Sequence, residues 1–211
     1  MADPPDRGTG PTRDRIVTAA VETIKTHGLA GASARAIAKT GGFNQALIYY
    51  YFPSLTGLYL AALEHTSAAR MNAYLARMTD IRSLDDLVRV GGELFDEDVA
   101  AGHITVLAEL VSSALAQPEI GARITELMEP WVRLTQDTID RFVRGTFVEP
   151  IIQTGAIAQG LVAFYLGIEM LYHLDRDRSR TDALFAMFKA LAPIASPFLA
   201  ASPQPGGEND D

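Results

Sequence analysis

Four histidines, His27, His65, His103 and His173, lie far apart in the 211-residue chain, and no His-Glu-x-x-His, Gly-x-Ser-x-Gly or phosphate-loop spacing accompanies them. Glu169 and His173 stand four residues apart, which puts both on one helical face, but two ligands without a third do not make a metal site. Cysteine is absent, which removes thiolate nucleophiles, disulfides and Cys-ligated metals together. What the sequence does offer is a region without negative charge. Residues 23–63 contain no Asp or Glu in a chain that carries 26 of them, yet they hold Lys25, Arg35 and Lys39. The net charge of −8 is accordingly lopsided, +2 over residues 1–52 and −10 over the rest. A surface kept free of carboxylates can approach phosphates. The competing reading is a chance gap in an Ala-rich helical segment.

The elements that would position these groups are helical. With 48% hydrophobic residues the chain can bury a full core. No period-2 run of β-branched residues is bounded by hairpin turns, so the expected class is all-α, with about nine helices. Thr12, after Pro11, is read as the N-cap of a first helix running to about His27, with Ile16, Ala20 and Ile24 on one face and Gly28 as its stop. Ser33 caps a second helix, residues 34–40, which stops at Gly41-Gly42. Asn44 caps a third, ending near Tyr51, and Pro53-Ser54 opens a long fourth. Two short helices joined by a tight Gly turn form a helix-turn-helix. In it Ile37 and Ala38 face inward, Gly42 permits the turn, and Phe43 and Ile48 fill the space between the helices.

These residues carry a resemblance. The run Ser33-Ala-Arg-Ala-Ile-Ala-Lys-Thr-Gly-Gly-Phe-Asn-Gln-Ala-Leu-Ile-Tyr-Tyr-Tyr-Phe-Pro-Ser, preceded by Arg15-Ile-Val-Thr-Ala-Ala and Gly28, resembles the DNA-binding domain of the TetR family of bacterial transcriptional regulators over about residues 12–62. Arg35, Ile37, Ala38, Gly42, Asn44, Tyr49 and Phe52 recur in the family's order. Three positions depart from it. Leu55 stands where the family usually has a phosphate-reaching Lys, Phe43 replaces the usual Val, and Asn44 replaces the commoner Ser or Thr.

The resemblance implies a third helix laid in the major groove, its N-terminal side chains at base edges. Gln45 is then the base reader, since its amide can pair with adenine N6 and N7. Tyr49 and Tyr51 resemble phosphate-contacting positions, and Tyr50 is suited to press on a thymine methyl. Arg35 reaches a phosphate or a guanine edge; Thr12, Arg13 and Arg15 anchor the first helix on the backbone. Ser33, Asn44 and Ala46 complete the expected DNA-facing set. Against this stand the readings of Tyr49 as a tyrosine that only closes the small domain, of Gln45 as a surface residue, and of Ser33 and Asn44 as helix caps first.

The remainder reads as six further helices, over residues 54–79, 83–99, 103–117, 119–144, 153–174 and 180–200. Ser83 and Asp86 have the form of a capping box with Asp in place of Glu. Pro130 is expected to bend or divide its helix. Residues 155–174 are nearly apolar and long enough to test as a membrane span, but Gln159, Glu169 and His173 interrupt them and favour a buried soluble helix. Ala156, Gly160, Ala163 and Gly167 form a smooth stripe, opposite Leu161, Tyr165, Ile168, Glu169 and Tyr172, so both faces must be covered. With Leu184, Met187, Phe188, Leu191 and Ile194 of the last helix, the stripe is expected to form a homodimer interface, as the resemblance also implies. The alternative is a monomer whose two last helices only complete its own core.

The resulting division is a flexible arm (1–11), a DNA-binding domain (12–53), an effector-binding and dimerisation domain (54–200) and a disordered acidic tail (201–211). An effector pocket is expected around Met128, Trp131, Tyr165, Glu169 and Tyr172, aromatic and Met walls with few polar groups. Glu169 and His173 read either as a satisfied buried pair or as a ligand contact, and a lone buried Glu169 would favour a hydroxyl-bearing or cationic effector over an anion. The expected function is a ligand-responsive regulator, a repressor on a palindromic operator of double-stranded DNA, with no cofactor, metal or membrane partner. Its expected location is the cytoplasm, given no Cys and no apolar stretch in the first residues to act as a secretory signal. The other class left open is an all-α enzyme or adaptor in which the helix-turn-helix serves only packing.

Overall fold

The computed structural model describes residues 10–79, 81–101, 103–114 and 117–199, so the expected tail and nearly all of the expected arm lie outside the described residues. Among those described there are nine α-helices, one 3-10 turn and no strand. They are α1 (Pro11–Gly31), α2 (Ala34–Gly41), α3 (Gln45–Tyr51), α4 (Leu55–Met78), α5 (Leu84–Ala101), α6 (His103–Ala114), α7 (Pro118–Val143), α8 (Thr154–Asp175) and α9 (Arg178–Ala195), followed by the 3-10 turn Ser196–Leu199.

Capping side chains set the starts of α2 to α5 as expected. Ser33 Oγ accepts from Ala36 N at 3.2 Å, Asn44 Oδ1 from Ala46 N at 2.9 Å and Ser54 Oγ from Gly57 N at 3.1 Å. Ser83 Oγ accepts from Asp86 N at 3.0 Å, while the Asp86 carboxylate reaches back to Arg82 N. The start of α1 differs. Pro11 is its first residue and Gly10 its cap, because a fixed φ and a missing N–H suit the first helical position better than Thr12 suits the cap. At the far end α9 begins at Arg178, two residues before the expected start, because the Asp177 carboxylate caps Ser179 N at 2.9 Å. Residue 117, expected inside α6, lies outside a helix and stands at the cap of α7. Pro130 does not divide α7; it lies exposed, where water can serve the carbonyl that loses its partner.

Helices α1, α2 and α4 pack around Ile16, Ala20, Ile24, Ile37, Ala38, Ile48, Leu58 and Ala62, all buried. Gly42 has φ 67° and ends α2 in the left-handed region. Its neighbour Gly41 has another role: a Cβ there would lie 2.0 Å from Phe43 Cε1, so the larger Phe43 fits because Gly41 has no side chain. The same core runs on into α6 through Val106, Leu107 and Leu110. A second cluster, built on Tyr74, Ile81, Val90, Leu94 and Trp131, joins α4, α5 and α7.

Gly28 breaks the α1 helix with φ 66° and ψ 176°, a conformation essentially reserved for glycine. Helical turns resume over residues 29–31, which is why α1 extends past the expected stop. The turned chain presents Leu29 N to Glu109 Oε2 of α6 at 3.0 Å. Gly28→Ala should therefore destabilise the fold by about 1–3 kcal/mol in urea unfolding. An unchanged midpoint would contradict this backbone geometry.

Candidate nucleic-acid interface and buried cavity

One surface of α2 and α3 collects the acid-free residues. Ser33, Arg35, Asn44, Gln45, Ala46, Tyr49 and Tyr50 are exposed there, while Ile48 faces the core. Tyr49 is 53% exposed, which removes the reading in which it is packed to close the domain. Tyr51 is half-buried, packed on the core and edge-on to Tyr50 at 5.2 Å. Thr12 and Arg13 are half-buried at the start of α1, with the Arg13 guanidinium 5.0 Å from the Phe52 ring centre. Leu55 packs against the core as the first residue of α4, so the position that departs from the family pattern is used for burial.

The second feature is a largely apolar space of about 410 Å³ between α4, α5, α7, α8 and α9, with Leu107 of α6 in its wall, partly open to solvent past Leu161, Phe164 and Leu191. Met128, Trp131, Tyr165 and Glu169 line it as expected. Tyr172 does not; it packs edge-to-face on Phe95, ring centres 5.6 Å apart, because one further turn of α8 carries it over α5. Leu161, assigned to the inner face, lines the space yet stays 40% exposed.

Glu169 is neither lone nor paired with His173. Arg70 Nη2 donates to Glu169 Oε1 at 2.9 Å, and Arg70 also holds Asp98, Nε to Oδ1 at 2.5 Å with a second contact to Oδ2. Tyr74 OH donates to Asp98 Oδ2 at 2.7 Å, and Tyr165 OH lies 2.9 Å from Tyr74 OH and 3.2 Å from Asp98 Oδ2. Trp131 Nε1 donates to Ser67 Oγ at 3.0 Å, and its ring lies 5.2 Å from the guanidinium. Burial pushes the Glu169 carboxyl up to about 7 against the pull of Arg70, and Asp98 adds to the rise. Burial likewise raises the Tyr74 and Tyr165 phenols. Glu169 Oε2 is buried without a partner. Sequence reasoning missed Arg70, Tyr74 and Asp98; their only signal was an i, i+4 Arg–Tyr pair in a helix.

The third feature is the outer side of α8. Long and apolar enough to cross a membrane, it has only 17% of its apolar window buried in the single chain. Ala156, Gly160, Ala163 and Gly167 are exposed, and a Cβ built on either glycine meets nothing within 4 Å. Ile157, Phe164, Leu171 and Leu174 beside them, and Met187, Leu191 and Ile194 of α9, are exposed as well. Leu184 and Phe188 are half-buried. The expected cover on both faces is thus present on one only.

Comparison with known proteins agrees with this architecture. Residues 16–62 match the family described as bacterial regulatory proteins, tetR family. A stretch of 78 residues is 32% identical to the HTH-type transcriptional repressor NicS of Pseudomonas putida, covering 37% of this chain and 37% of that relative. In fold, the chain is similar to the fatty acid degradation regulator FadR of Bacillus halodurans, with TM-score 0.72 and 19% identity over 87% of this chain and 95% of that one. It is also similar to FadR of Bacillus subtilis in complex with stearoyl-CoA, with TM-score 0.69 and 16% identity over 85% and 96%.

The Glu169 shift makes stability depend on pH. Its carboxyl stands above the ordinary 4.5 in the folded chain, so the stabilisation is present in acid and lost as pH rises through about 7. Between pH 5 and 8 the parent should lose up to roughly 3 kcal/mol on this account, and Glu169→Gln should remove that part of the slope. Parallel urea-unfolding curves across that range would contradict it.

Proposed function

We propose that this chain, whose residues 16–62 match the tetR family of bacterial regulatory proteins, is a transcriptional repressor that binds a palindromic operator as a homodimer and is released by a small, largely apolar effector. The observation that carries this reading is the exposed, carboxylate-free face of α2 and α3. Residues 12–53 read DNA and residues 54–200 hold effector and partner subunit. An enzyme or adaptor that used the helix-turn-helix only for packing would have no reason to keep Gln45, Tyr49 and Tyr50 in solvent. Acting on chromosomal DNA, the protein works in the cytoplasm.

Gln45 reads a base edge, Tyr49 and Arg35 meet phosphates, Tyr50 packs on a thymine methyl, and Arg13 and Thr12 hold the end of α1 to the backbone. Tyr51 contributes by supporting Tyr50. Asn44, Ser33 and Ala46 lie at the helix starts that approach the phosphates.

The open stripe Ala156, Gly160, Ala163 and Gly167, with Leu171, Met187 and Leu191, is covered by the same surface of a second chain. This arrangement sets two recognition helices about 34–36 Å apart. A partner subunit explains the stripe better than lipid does: small residues let two helices approach closely, and Arg70, Asp98 and Glu169 lie directly behind it.

The effector occupies the apolar space against Trp131, Met128 and Tyr165. Arg70 already serves two carboxylates, so an anion brought there would meet excess negative charge, whereas a hydroxyl or amine would give Glu169 Oε2 its missing donor. A long aliphatic chain, as in the stearoyl-CoA of the B. subtilis structure, has the polarity this space requires.

Gln45→Ala should weaken binding to an operator selected from random DNA by about 1–3 kcal/mol and relax one base position, while Tyr49→Phe should weaken it evenly across sequences. A double variant that binds like the parent would remove α3 from the interface. Gly160→Leu or Gly167→Leu should convert a dimer to monomer in sedimentation and lower DNA affinity with it. A parent that sediments as a monomer while bound to its operator would refute the dimer.

A further inference from the structure

The apolar space has an inner and an outer end. At the inner end stand Arg70 and Tyr74, the two residues it shares with a second cavity of about 320 Å³ between α1, α4, α5 and α6. The outer end opens where α8 and α9 meet solvent. Among the described residues that line the space, Leu161, Phe164 and Leu191 are the exposed ones, and all three belong to those two helices. Phe164 meets Phe188 edge-to-face, ring centres 5.5 Å apart, so an aromatic pair joins α8 to α9 beside the opening.

This mouth borders the open small-residue stripe. Gly160 precedes Phe164 by four residues and Gly167 follows it by three, which sets both beside it on one helical face. A Cβ on either glycine meets nothing within 4 Å, so nothing of the chain itself stands over that face. Leu191 has the same relation to Met187 and Ile194 of α9, both exposed. A body seated on the stripe therefore also covers Leu161, Phe164 and Leu191.

The charges identify that body. Glu169 is the only Asp, Glu, Lys or Arg between Thr154 and Leu174, and it is buried on the inner side. Lys189 is the only one between Ala183 and Ile194, and two residues of helix set it across α9 from Met187. A twofold axis brings a surface against its own copy, so a face that self-associates has to be free of repeated like charge, as this one is. The ligand has a matching need. Pockets bury most of a ligand's surface, and an apolar ligand left facing an open mouth would keep part of that surface in water.

We propose that the effector site is shared between two chains: the α8 and α9 face of the partner subunit closes the mouth at Leu161, Phe164 and Leu191, so the dimer holds the effector and the single chain binds it weakly. The inference rests on the dimer and the apolar effector proposed above and adds the coupling between them. Symmetry closes both spaces in one step. A ligand favours the state that binds it better by its difference in affinity, so the effector tightens the dimer. Release from DNA then proceeds by repacking within an intact dimer.

The test reads Trp131, the single tryptophan of the chain, which lines the space. The full-length parent is compared with Gly160→Leu and Gly167→Leu by sedimentation, acrylamide quenching and titration with 1-octanol, circular dichroism confirming that the variants keep the parent's helix content. Acrylamide should quench Trp131 at least about threefold less in the parent dimer than in the monomeric variants, and octanol should bind the dimer at least about tenfold more tightly. Saturating octanol should lower the parent's dimer dissociation constant by the square of that ratio, about a hundredfold, since each dimer holds two sites. A dimeric parent that is quenched, and binds octanol, just as the monomeric variants do would overturn the shared site while leaving the dimer and the effector in place. A parent monomeric at every concentration, or variants that stay dimeric, would remove the proposed face and the shared site with it. If octanol moves Trp131 in neither form, the quenching decides: protection in the dimer supports the closed mouth, and equal quenching overturns it.

Discussion

Arg70 brings a full positive charge into the interior where α4, α5 and α8 meet, and much of the chain is arranged around neutralising it. Desolvating a guanidinium costs several kcal/mol, repaid only when opposite charges and hydrogen bonds surround it. Asp98 arrives from α5 and Glu169 from α8, with the Tyr74 and Tyr165 hydroxyls completing the carboxylate's partners. The consequence for α8 is decisive. That helix carries apolar residues on both faces, so its pattern alone does not choose an inner one; Glu169 chooses it. Once Glu169 points at Arg70, Ile168 and Ala158 turn inward and Ala156, Gly160, Ala163 and Gly167 turn out. The polar cluster thereby fixes the cavity wall and the face open to a second chain in one step.

The same cluster stands between two cavities, and its elements lead to the face of α2 and α3 proposed to read DNA. Helix α4 holds Arg70 and Tyr74 near its C-terminal end, while at the other end Leu55 and Leu58 belong to the core that seats Ile37 and Ile48. Helix α6 adds a second route, with Leu107 lining the apolar space and Glu109 pinning the backbone beyond the Gly28 break. On the proposed function, a ligand that favours one packing of α4 and α6 over another would shift operator affinity by that difference, about 1.4 kcal/mol for each factor of ten.

How much of this was legible in the sequence follows the range of the interactions. Caps at Ser33, Asn44 and Ser54, and the turn at Gly42, are local and were read to within a residue or two. The third helix was legible because its polar side chains and Ile48 sort by helical spacing. Four of the five expected pocket residues line the apolar space for the same reason: Trp131 and Met128 share one stripe of α7, Tyr165 and Glu169 one stripe of α8. What stayed hidden depends on long-range pairing. Arg70 meets Asp98 28 residues away and Glu169 99 residues away, distances at which no spacing rule operates. Tyr172 shares the stripe of Tyr165 and Glu169 but lies a turn beyond the space, against Phe95 of α5, and helical spacing sets no limit along the axis. The Gly41–Phe43 fit is likewise a contact of shape, visible only once both backbones are set.

The most direct test of the account is operator affinity, measured by fluorescence anisotropy on a DNA site selected from random sequence, with and without saturating 1-octanol, and with octanoate as the charged counterpart. The account predicts tight, sequence-specific binding that octanol weakens at least about tenfold and octanoate leaves unchanged, with the octanol effect lost in Trp131→Ala. Release by octanoate as strong as by octanol, or no preference for any DNA sequence, would contradict it.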